Sequence, residues 1–336
     1  MDLPLFEKEI KNKRQLREME SLLAGLDLSV PEGFEYAIGL YTAEDELVGC
    51  GCLKGDILQG LAIAPECQGE GLASKIVSRL IQQAALSGKS LLYVFTKPSM
   101  ARLIESLGFR EIADASPFVV LFEYGTGGVG AYKESLAAYA RKPCAGTASS
   151  VVMNCNPFTL GHRYLIECAL EKSDFLYIFV VEENMSEFSF PDRIRLVREG
   201  VADLQNVMVL PGGRYIISNL TFPSYFTKEE DMARAQSALD ATLFCTVIAP
   251  TLNIGKRFVG SEPFSQVTGI YNETLQKILP SFGINVEEVP RARRGGIPIS
   301  ASAVRRYISE GKIEDACALL PDITKKYVRQ LFSPGS

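Results

Sequence analysis

A polar segment near the middle of the chain ends in the only histidine of the sequence, His162. It follows the apolar run Ser149–Met153 and contains Thr159, three residues before that histidine. Residues three apart share one face of a helical turn, so the spacing predicts that these two side chains lie together. The first N–H groups of a helix and its dipole attract phosphate, to which a histidine can donate a hydrogen bond. The segment therefore predicts stabilisation of the charge that develops on a phosphate under attack.

The segment Thr159-Leu160-Gly161-His162 resembles the T/H-x-G-H signature of the nucleotidylyltransferase superfamily. The second motif of that superfamily, I-S-S-T-x-x-R, is present in altered form as Ile299-Ser300-Ala301-Ser302-Ala303-Val304-Arg305. One hydroxyl is lost, because Ala301 stands where the motif has its second serine. The resemblance implies that Ser300 and Ser302 bind phosphate oxygens at a helix start, and that the forked guanidinium of Arg305 donates to the β- and γ-phosphates.

The resemblance also implies where the rest of a nucleotide would lie. Gly260, within Phe258–Glu262, would mark the strand end that holds the ribose, and Gly161 would leave room for the nucleotide to approach the backbone. His162 and Arg305 are the predicted catalytic residues, and no residue is singled out as a metal ligand. The predicted nucleotide-binding residues are Asn154, Asn156, Phe158, Thr159, Gly161, His162, Gly260, Ser300, Ser302 and Arg305.

A glycine-rich segment in the first half of the chain predicts a second anion site. It follows the predicted strand Ile57–Ile63, opens the predicted helix Gly71–Leu86, and reads Gln68-Gly69-Glu70-Gly71-Leu72-Ala73. Glycines at a helix start expose backbone N–H groups to a pyrophosphate. The segment resembles the Q/R-x-x-G-x-G/A motif of the GCN5-related N-acetyltransferases, as Leu103–Phe109 resembles the helix and strand entry of that family. The resemblance implies a coenzyme-A-like arm bound by Gln68, Gly69, Gly71 and Ala73. Glu46 and Glu66 stay open as candidates for a general base.

The composition predicts a globular protein of about two domains. Of its 336 residues, 47% are hydrophobic and 22% are charged, and the formal net charge is −5. An acidic chain lacks the basic surface that non-specific nucleic-acid binding needs, and no apolar run is long enough for a transmembrane helix. The N-terminus mixes acids and bases in place of a signal-peptide core, and the eight cysteines form no C-x-x-C pair. We therefore expect a cytoplasmic protein that binds neither nucleic acid nor membrane.

Four glycines within residues 125–130 predict a break between two α/β domains. The predicted divisions are 1–130, 131–145 as a linker that includes a short helix, and 146–336. The first domain is expected to contain a mixed sheet with interspersed helices, beginning with an amphipathic helix over Glu7–Leu23. The second alternates apolar strands with helices, which predicts a doubly wound, Rossmann-like parallel sheet with ligands at the carboxyl ends of its strands.

An acetyltransferase-like domain followed by a nucleotidylyltransferase-like domain resembles the citrate lyase ligase family. The resemblance covers nearly the whole chain, including the form of the first motif over Asn154–Thr159. It implies that ATP and acetate yield acetyl-adenylate and pyrophosphate, with Mg²⁺ accompanying the ATP. It further implies that the acetyl group passes to a coenzyme-A-like thiol arm on the acyl carrier subunit of citrate lyase, with release of AMP.

Two other functions stay open on the sequence. One is an adenylyltransferase for a phosphate-bearing small molecule, such as phosphopantetheine or a mononucleotide, with the first domain as an accessory. The other is a nucleotide-sensing module without turnover, although such a sensor would have no need of an intact His162 and Arg305. The sequence also leaves open whether the first domain transfers acyl groups or only holds the arm.

Overall fold

The chain folds into two compact units. The computed structural model describes residues 4–69, 71–141, 147–183, 186–217, 222–223, 229–262, 265–295 and 297–332. Contacts among these residues group Met1–Tyr132 with Phe222–Leu239 in a first unit, and Lys133–Thr221 with Asp240–Ser336 in a second.

The first unit contains a seven-stranded mixed sheet. Its elements are β1 (Phe6–Glu9), α1 (Lys13–Ala24), β2 (Tyr36–Tyr41), β3 (Leu47–Lys54), β4 (Ile57–Ile63), α2 (Leu72–Leu86), β5 (Leu91–Thr96), α3 (Ala101–Ser106), β6 (Arg110–Ala115), β7 (Val119–Gly125) and α4 (Val129–Ala137). The strand order is β1-β2-β3-β4-β5-β7-β6, and only β4 and β5 are parallel neighbours. The buried face of α2, which includes Ile76 and Leu80, packs into the core that covers this sheet. The predicted mixed-sheet domain is therefore confirmed.

The N-terminal helix begins later than the charge pattern predicts. Residues 6–9 form β1, an exposed edge strand that pairs antiparallel with β2. The side chain of Asn12 accepts hydrogen bonds from the backbone N–H groups of Arg14 and Gln15, and Gln15 caps in return, which starts α1 at Lys13. The prediction of one helix over Glu7–Leu23 is wrong in its first turn, because this capping box fixes the start and β2 offers the preceding residues a ladder.

The second unit contains a five-stranded parallel sheet in the order β10-β9-β8-β11-β12. The elements of this half of the chain are β8 (Ala148–Met153), α5 (Leu160–Leu170), β9 (Leu176–Val180), α6 (Phe190–Gly200), β10 (Val207–Pro211), α7 (Glu229–Leu243), α8 (Ala249–Leu252), β11 (Ile254–Gly260), α9 (Gln266–Ile278), β12 (Asn285–Val289), β13 (Arg293–Arg294), β14 (Ile297–Pro298), α10 (Ala301–Ser309), α11 (Ile313–Cys317) and α12 (Asp322–Phe332). The residues of α7 up to Leu239 group with the first unit. The inner strand β9 is buried over its whole length, as the apolar run predicts. The strand order reverses between β8 and β11, which is where sheets of this kind bind ligands at their carboxyl ends. The predicted parallel α/β sheet is confirmed.

Two connecting segments differ in detail from the predicted domain divisions, which stay a prediction. The helix α4 covers Val129–Ala137 and so begins before the predicted linker, of which residues 142–146 lie outside the described residues. Phe222, which the sequence assigns to the second domain, packs edge-on against Phe95 of β5 at 5.6 Å between ring centroids. None of the helices in the described ranges is both long and apolar enough to span a membrane.

Candidate functional site

The first predicted motif forms the turn between β8 and α5, at the carboxyl edge of the parallel sheet. β8 ends at the buried Met153, and Asn154 is exposed at the edge. Cys155 is fully buried and adopts a left-handed φ of +53°, a conformation that costs an ordinary residue about 1 kcal/mol or more. Thr159 is the N-cap of α5, with 1% of its surface exposed. The backbone of this turn is therefore held at both ends, by β8 and by the cap of α5.

His162 is held against the helix cap by three short contacts. The backbone N–H of Thr159 donates to His162 Nδ1 at 3.1 Å, and the hydroxyl of Thr159 lies 3.0 Å from the same nitrogen. The backbone N–H of His162 donates to that hydroxyl at 3.3 Å. Because Nδ1 accepts a hydrogen bond from a backbone N–H, the neutral ring carries its proton on Nε2. The ring therefore offers an N–H donor on the side away from the cap.

The surroundings of His162 keep its ring neutral at physiological pH. Burial, and to a smaller extent the positive charge of Arg291, lowers the pKa of His162 to about 4. The ring also stacks on buried Phe158, with 6.0 Å between ring centroids and 12° between their planes. A neutral imidazole stabilises developing charge as a hydrogen-bond donor without first having to lose a proton.

The two predicted motifs meet through their backbones. A Cβ on Gly161 would lie 2.9 Å from the carbonyl oxygen of Ile299, the residue that precedes Ser300. Glycine is thus favoured here by the approach of the second motif, and the room that it would leave for a nucleotide stays a prediction. From the other side, Nη1 of Arg305 donates to the carbonyl oxygen of Asn156 at 2.6 Å. Residues 149 positions apart in sequence are joined in this way.

The second motif begins the helix α10. Ser300 is its N-cap, and its hydroxyl accepts from the backbone N–H of Ala303 at 3.1 Å. Nη2 of Arg305 donates to the hydroxyl of Ser302 at 3.4 Å, and Nε lies 3.9 Å from a carboxylate oxygen of Glu187. The guanidinium is partly exposed and held by neighbours on two segments. The structure therefore brings together the first motif and Arg305, while the roles of these residues towards a nucleotide stay predictions.

A further arginine at the site was missed by sequence reasoning. Arg291 follows β12, and its Nε donates to the carbonyl oxygen of Ser261 at 2.9 Å while its Nη2 pairs with Glu262. Its charge acts on His162, as the lowered pKa of that ring records. The available signal was the basic run around Arg291, a few residues before the second motif. Gly260 is the last residue of the neighbouring strand β11, and its carbonyl accepts from Nδ2 of Asn272 at 2.9 Å.

A second missed residue, Arg193 on α6, lies beneath the first motif. Its side chain is 0% exposed and makes hydrogen bonds to the ends of β8 and β9. Nothing in its sequence context distinguishes it from the neighbouring arginines of α6, since a buried charge is recognised only from the packing around it.

The glycine-rich segment of the first unit has the backbone geometry of an anion site. Gly69 and Gly71 have φ values of +89° and +72°, and Gly71 is the N-cap of α2. A Cβ at either position would meet no atom within 4 Å, so conformation and not space favours glycine. Gln68 is exposed and donates to the carbonyl oxygen of Ile63 at 3.4 Å, and Ala73 lies in the first turn of α2.

The strand before that segment separates from its parallel neighbour. β4 pairs with β5 only at Ile57 and Leu58, so the ladder stops before the carboxyl end of β4, near the glycines. The two candidate bases of the first domain, Glu46 and Glu66, are both exposed. The structure thus provides an opened sheet edge and a glycine-rich helix start, and it does not select a general base.

Comparison with known proteins identifies the family. The family model described as the citrate lyase ligase C-terminal domain matches residues 148–328, and that of the acetyltransferase (GNAT) domain matches residues 37–111. The citrate (pro-3S)-lyase ligase of Klebsiella pneumoniae is 38% identical over 96% of this chain and 95% of its own length. The chain belongs to the citrate lyase ligase family. Ligases of the same name from Haemophilus influenzae and Escherichia coli are 35% and 36% identical, over 97% and 96% of this chain and 98% and 93% of theirs.

In this member of the family, the side-chain groups left available at the first motif are hydrogen-bond donors. Oδ1 of Asn154 accepts from Arg193, and Oδ1 of Asn156 accepts from the backbone N–H of Phe188 at 3.2 Å. Their Nδ2 groups make no hydrogen bond to the described residues, and the neutral His162 adds its Nε2–H. Within the described ranges, no three His, Cys, Asp or Glu side chains cluster as a metal site would need. A set of donors of this kind suits an anionic ligand.

Proposed function

We propose that this ligase uses ATP to acetylate the thiol prosthetic group on the acyl carrier subunit of citrate lyase. An acetate oxygen forms a bond to the α-phosphorus of ATP, the bond to the β-phosphate bridging oxygen breaks, and pyrophosphate leaves. The carrier sulfur then bonds to the acyl carbon of acetyl-adenylate, AMP leaves with its oxygen, and the thiol proton passes to solvent. The single observation that carries the proposal is the neutral, donating His162 at the carboxyl edge of the sheet, in a chain related to citrate lyase ligases over its length.

The donors of the second unit fit the first step. Nε2–H of His162 would donate to a non-bridging α-phosphate oxygen, where negative charge grows as the carboxylate attacks. Arg305, already held against the first motif, would contact the β- and γ-phosphates, with Ser300 and Ser302 at the same helix start. Because the carboxylate of acetate is already a nucleophile, this step needs no general base. None is singled out among the described residues of the site.

Magnesium would enter with the ATP. Since the described residues provide no carboxylate cluster for it, the triphosphate oxygens themselves would supply most of its ligands. The chemistry that Mg²⁺ supplies is neutralisation of the triphosphate charge and of the leaving pyrophosphate.

The first unit would receive the carrier arm. The N–H groups exposed by Gly69 and Gly71 suit the pyrophosphate of a coenzyme-A-like arm, and the open edge of β4 suits its extended chain. Acetyl transfer needs a reduced thiol, and the described cysteines of this chain are themselves free. We place the reaction in the cytoplasm, where thiols stay reduced.

Isotope exchange between ATP and pyrophosphate tests the first step without the carrier. Exchange should require a short carboxylic acid, with acetate best in a panel that also contains formate, propionate and butyrate. Transfer is then followed by the gain of one acetyl group on the purified carrier subunit. Exchange that ignores carboxylic acids and responds to phosphopantetheine or a mononucleotide would instead establish the adenylyltransferase alternative. ATP binding without exchange under any of these conditions would establish a nucleotide sensor.

A further inference from the structure

Arg193 is a fully buried cation whose hydrogen bonds converge on the candidate site. Its Nη1 donates to the backbone and side-chain oxygens of Asn154, at 2.6 Å each, and to the carbonyl oxygen of Val181 at 3.0 Å. Its Nη2 donates to the carbonyl oxygen of Glu183 at 2.7 Å, and its Nε to that of Phe188 at 3.1 Å. One guanidinium thus fastens the residues that follow β8 to those that follow β9.

These bonds decide which way the Asn154 amide faces. A guanidinium can only donate, so the side-chain atom of Asn154 that it contacts must be the carbonyl oxygen. The other end of the amide, Nδ2, is then directed away from Arg193, and Asn154 is exposed at the carboxyl edge of β8. With the reverse orientation, two donors would face each other and the outward atom would be an acceptor, which repels phosphate.

We propose that Arg193 is a positioning residue that holds the Asn154 amide with Nδ2 outward, as a donor to an anionic oxygen of the bound nucleotide. The inference rests on the proposed function for the identity of the ligand as ATP. Four of the five close acceptors of Arg193 are backbone carbonyls, which any well-packed arginine could satisfy. The fifth acceptor, Oδ1 of Asn154, is the contact that gives Arg193 a role in recognition.

Asn154→Asp separates the two roles of this contact. Aspartate keeps an acceptor for Arg193 and adds a negative charge beside the buried cation, so the melting temperature should stay equal or rise. It also replaces the outward donor by an anionic oxygen, so ATP binding measured by calorimetry should weaken by roughly tenfold or more. An Asp variant that binds ATP as tightly as the wild type would overturn the proposal.

A double-mutant cycle between Arg193→Lys and Asn154→Ala tests whether the arginine acts through the asparagine. Each single change should weaken ATP binding by roughly tenfold, and the double variant should bind no more weakly than Asn154→Ala alone. Effects that multiply would show that Arg193 acts independently, contrary to the proposal. If Arg193→Lys does not fold, the Asp variant decides alone.

Arg257 provides the matched control. It is similarly buried, with 1% of its surface exposed, and among the described residues its side chain donates hydrogen bonds to Asp240 and Tyr271. Arg257→Lys should therefore lower the melting temperature while ATP affinity of the folded protein stays unchanged. All of these readouts use ATP alone. A wild-type protein that binds ATP but shows no acetate-dependent exchange would contradict the proposed function and leave the proposed role of Arg193 intact. Normal ATP affinity in the Asn154 and Arg193 variants would contradict only the role of Arg193.

Discussion

At His162, one ring nitrogen completes the helix cap and the other, Nε2, stays available to a ligand. Its Nδ1 completes the cap of α5 by accepting from Thr159, and this contact leaves the proton on Nε2. Burial and the charge of Arg291 both oppose protonation of the ring. The residue is therefore fixed in position, tautomer and charge before any ligand binds, which is the preorganisation that transition-state stabilisation needs.

The titration of His162 gives a prediction in pH. The pKa of His162 is about 4 in the folded chain and about 6.5 in the unfolded one, so between these values the unfolded chain binds more protons. Stability should therefore fall as the pH drops from about 6.5 to about 4, by up to about 3 kcal/mol from this residue. Because the chain has one histidine, its imidazole signals in NMR report the midpoint and the tautomer directly. A midpoint near 6.5, or a proton on Nδ1, would contradict the geometry described.

Substitution of His162 separates the cap from the donor. In His162→Asn, the amide oxygen can still accept from the N–H of Thr159, but nothing replaces Nε2. Exchange of pyrophosphate into ATP should fall by about 10²- to 10³-fold, with ATP affinity changed far less. His162→Ala should show the same kinetic loss and an additional loss of about 1 kcal/mol of unfolding free energy, because the cap is lost as well. An unchanged exchange rate in a folded Asn variant would remove His162 from the mechanism.

At the level of elements, the site exists because α5 and the start of α10 approach each other closely. The carbonyl of Ile299 lies where a side chain at Gly161 would begin, and Arg305 of α10 reaches back to Asn156. Both contacts join the second motif to the strand–helix turn that carries His162. The donors of both motifs can therefore act on one ligand only while these two elements stay close.

Gly161→Ala should disturb this approach. A Cβ at 2.9 Å from a backbone oxygen forces the two elements apart, so we expect a loss of about 1–3 kcal/mol in the free energy of unfolding and a lower exchange rate. Gly269, inside α9, is the control, since a Cβ there meets nothing within 4 Å. Gly269→Ala should raise stability by about 0.5–1 kcal/mol through helix propensity, with exchange unchanged. Urea unfolding of both variants measures the contrast, and equal stabilities would show that the approach is not tight in solution.

At the level of the whole molecule, each of the two units carries a proposed anion site of a different kind. The second unit directs side-chain donors from several elements at its sheet edge, whereas the first offers backbone N–H groups at a glycine-rich helix start. The proposed reaction needs both, because ATP is consumed in one step and a thiol-bearing arm is acetylated in the next. The two half-reactions should therefore respond separately to changes in the two units.

Gly71 allows that separation to be tested with a matched pair. Its φ of +72° is tolerated by Asn and Asp better than by other side chains, so Gly71→Asn and Gly71→Asp share the conformational cost and differ in charge. Asp should lower acetyl transfer to the carrier by about tenfold relative to Asn, because its charge opposes a pyrophosphate at the helix start. ATP–pyrophosphate exchange should stay the same in both.

Other outcomes of the Gly71 pair would count against the arm site. If exchange and transfer fall together in a folded Asp variant, the charge acts on more than arm binding. If transfer is equal in the Asp and Asn variants, the glycine-rich segment does not contact the arm. Circular dichroism and thermal unfolding confirm that each variant is folded before its rates are compared.

The sequence by itself determined the α/β fold class and the meeting of Thr159 with His162 in the first motif. Apolar strands alternating with amphipathic helices dictate a covered parallel sheet, and Thr159 and His162 lie together because three residues make most of a helical turn. These are local relations, which follow from spacing along one chain segment. For the same reason the family resemblance, carried by short motifs, is confirmed by the comparisons.

Only the tertiary structure decided what surrounds that motif. The charge of His162 depends on burial and on Arg291, and the reason for a glycine at 161 is a carbonyl from a segment far away in sequence. Sequence reasoning missed Arg193 because a charged residue on an amphipathic helix is ordinarily exposed, and only the packing shows that this one is buried. Such properties arise from distances and solvent exclusion between remote segments, and the local pattern of a sequence does not encode them.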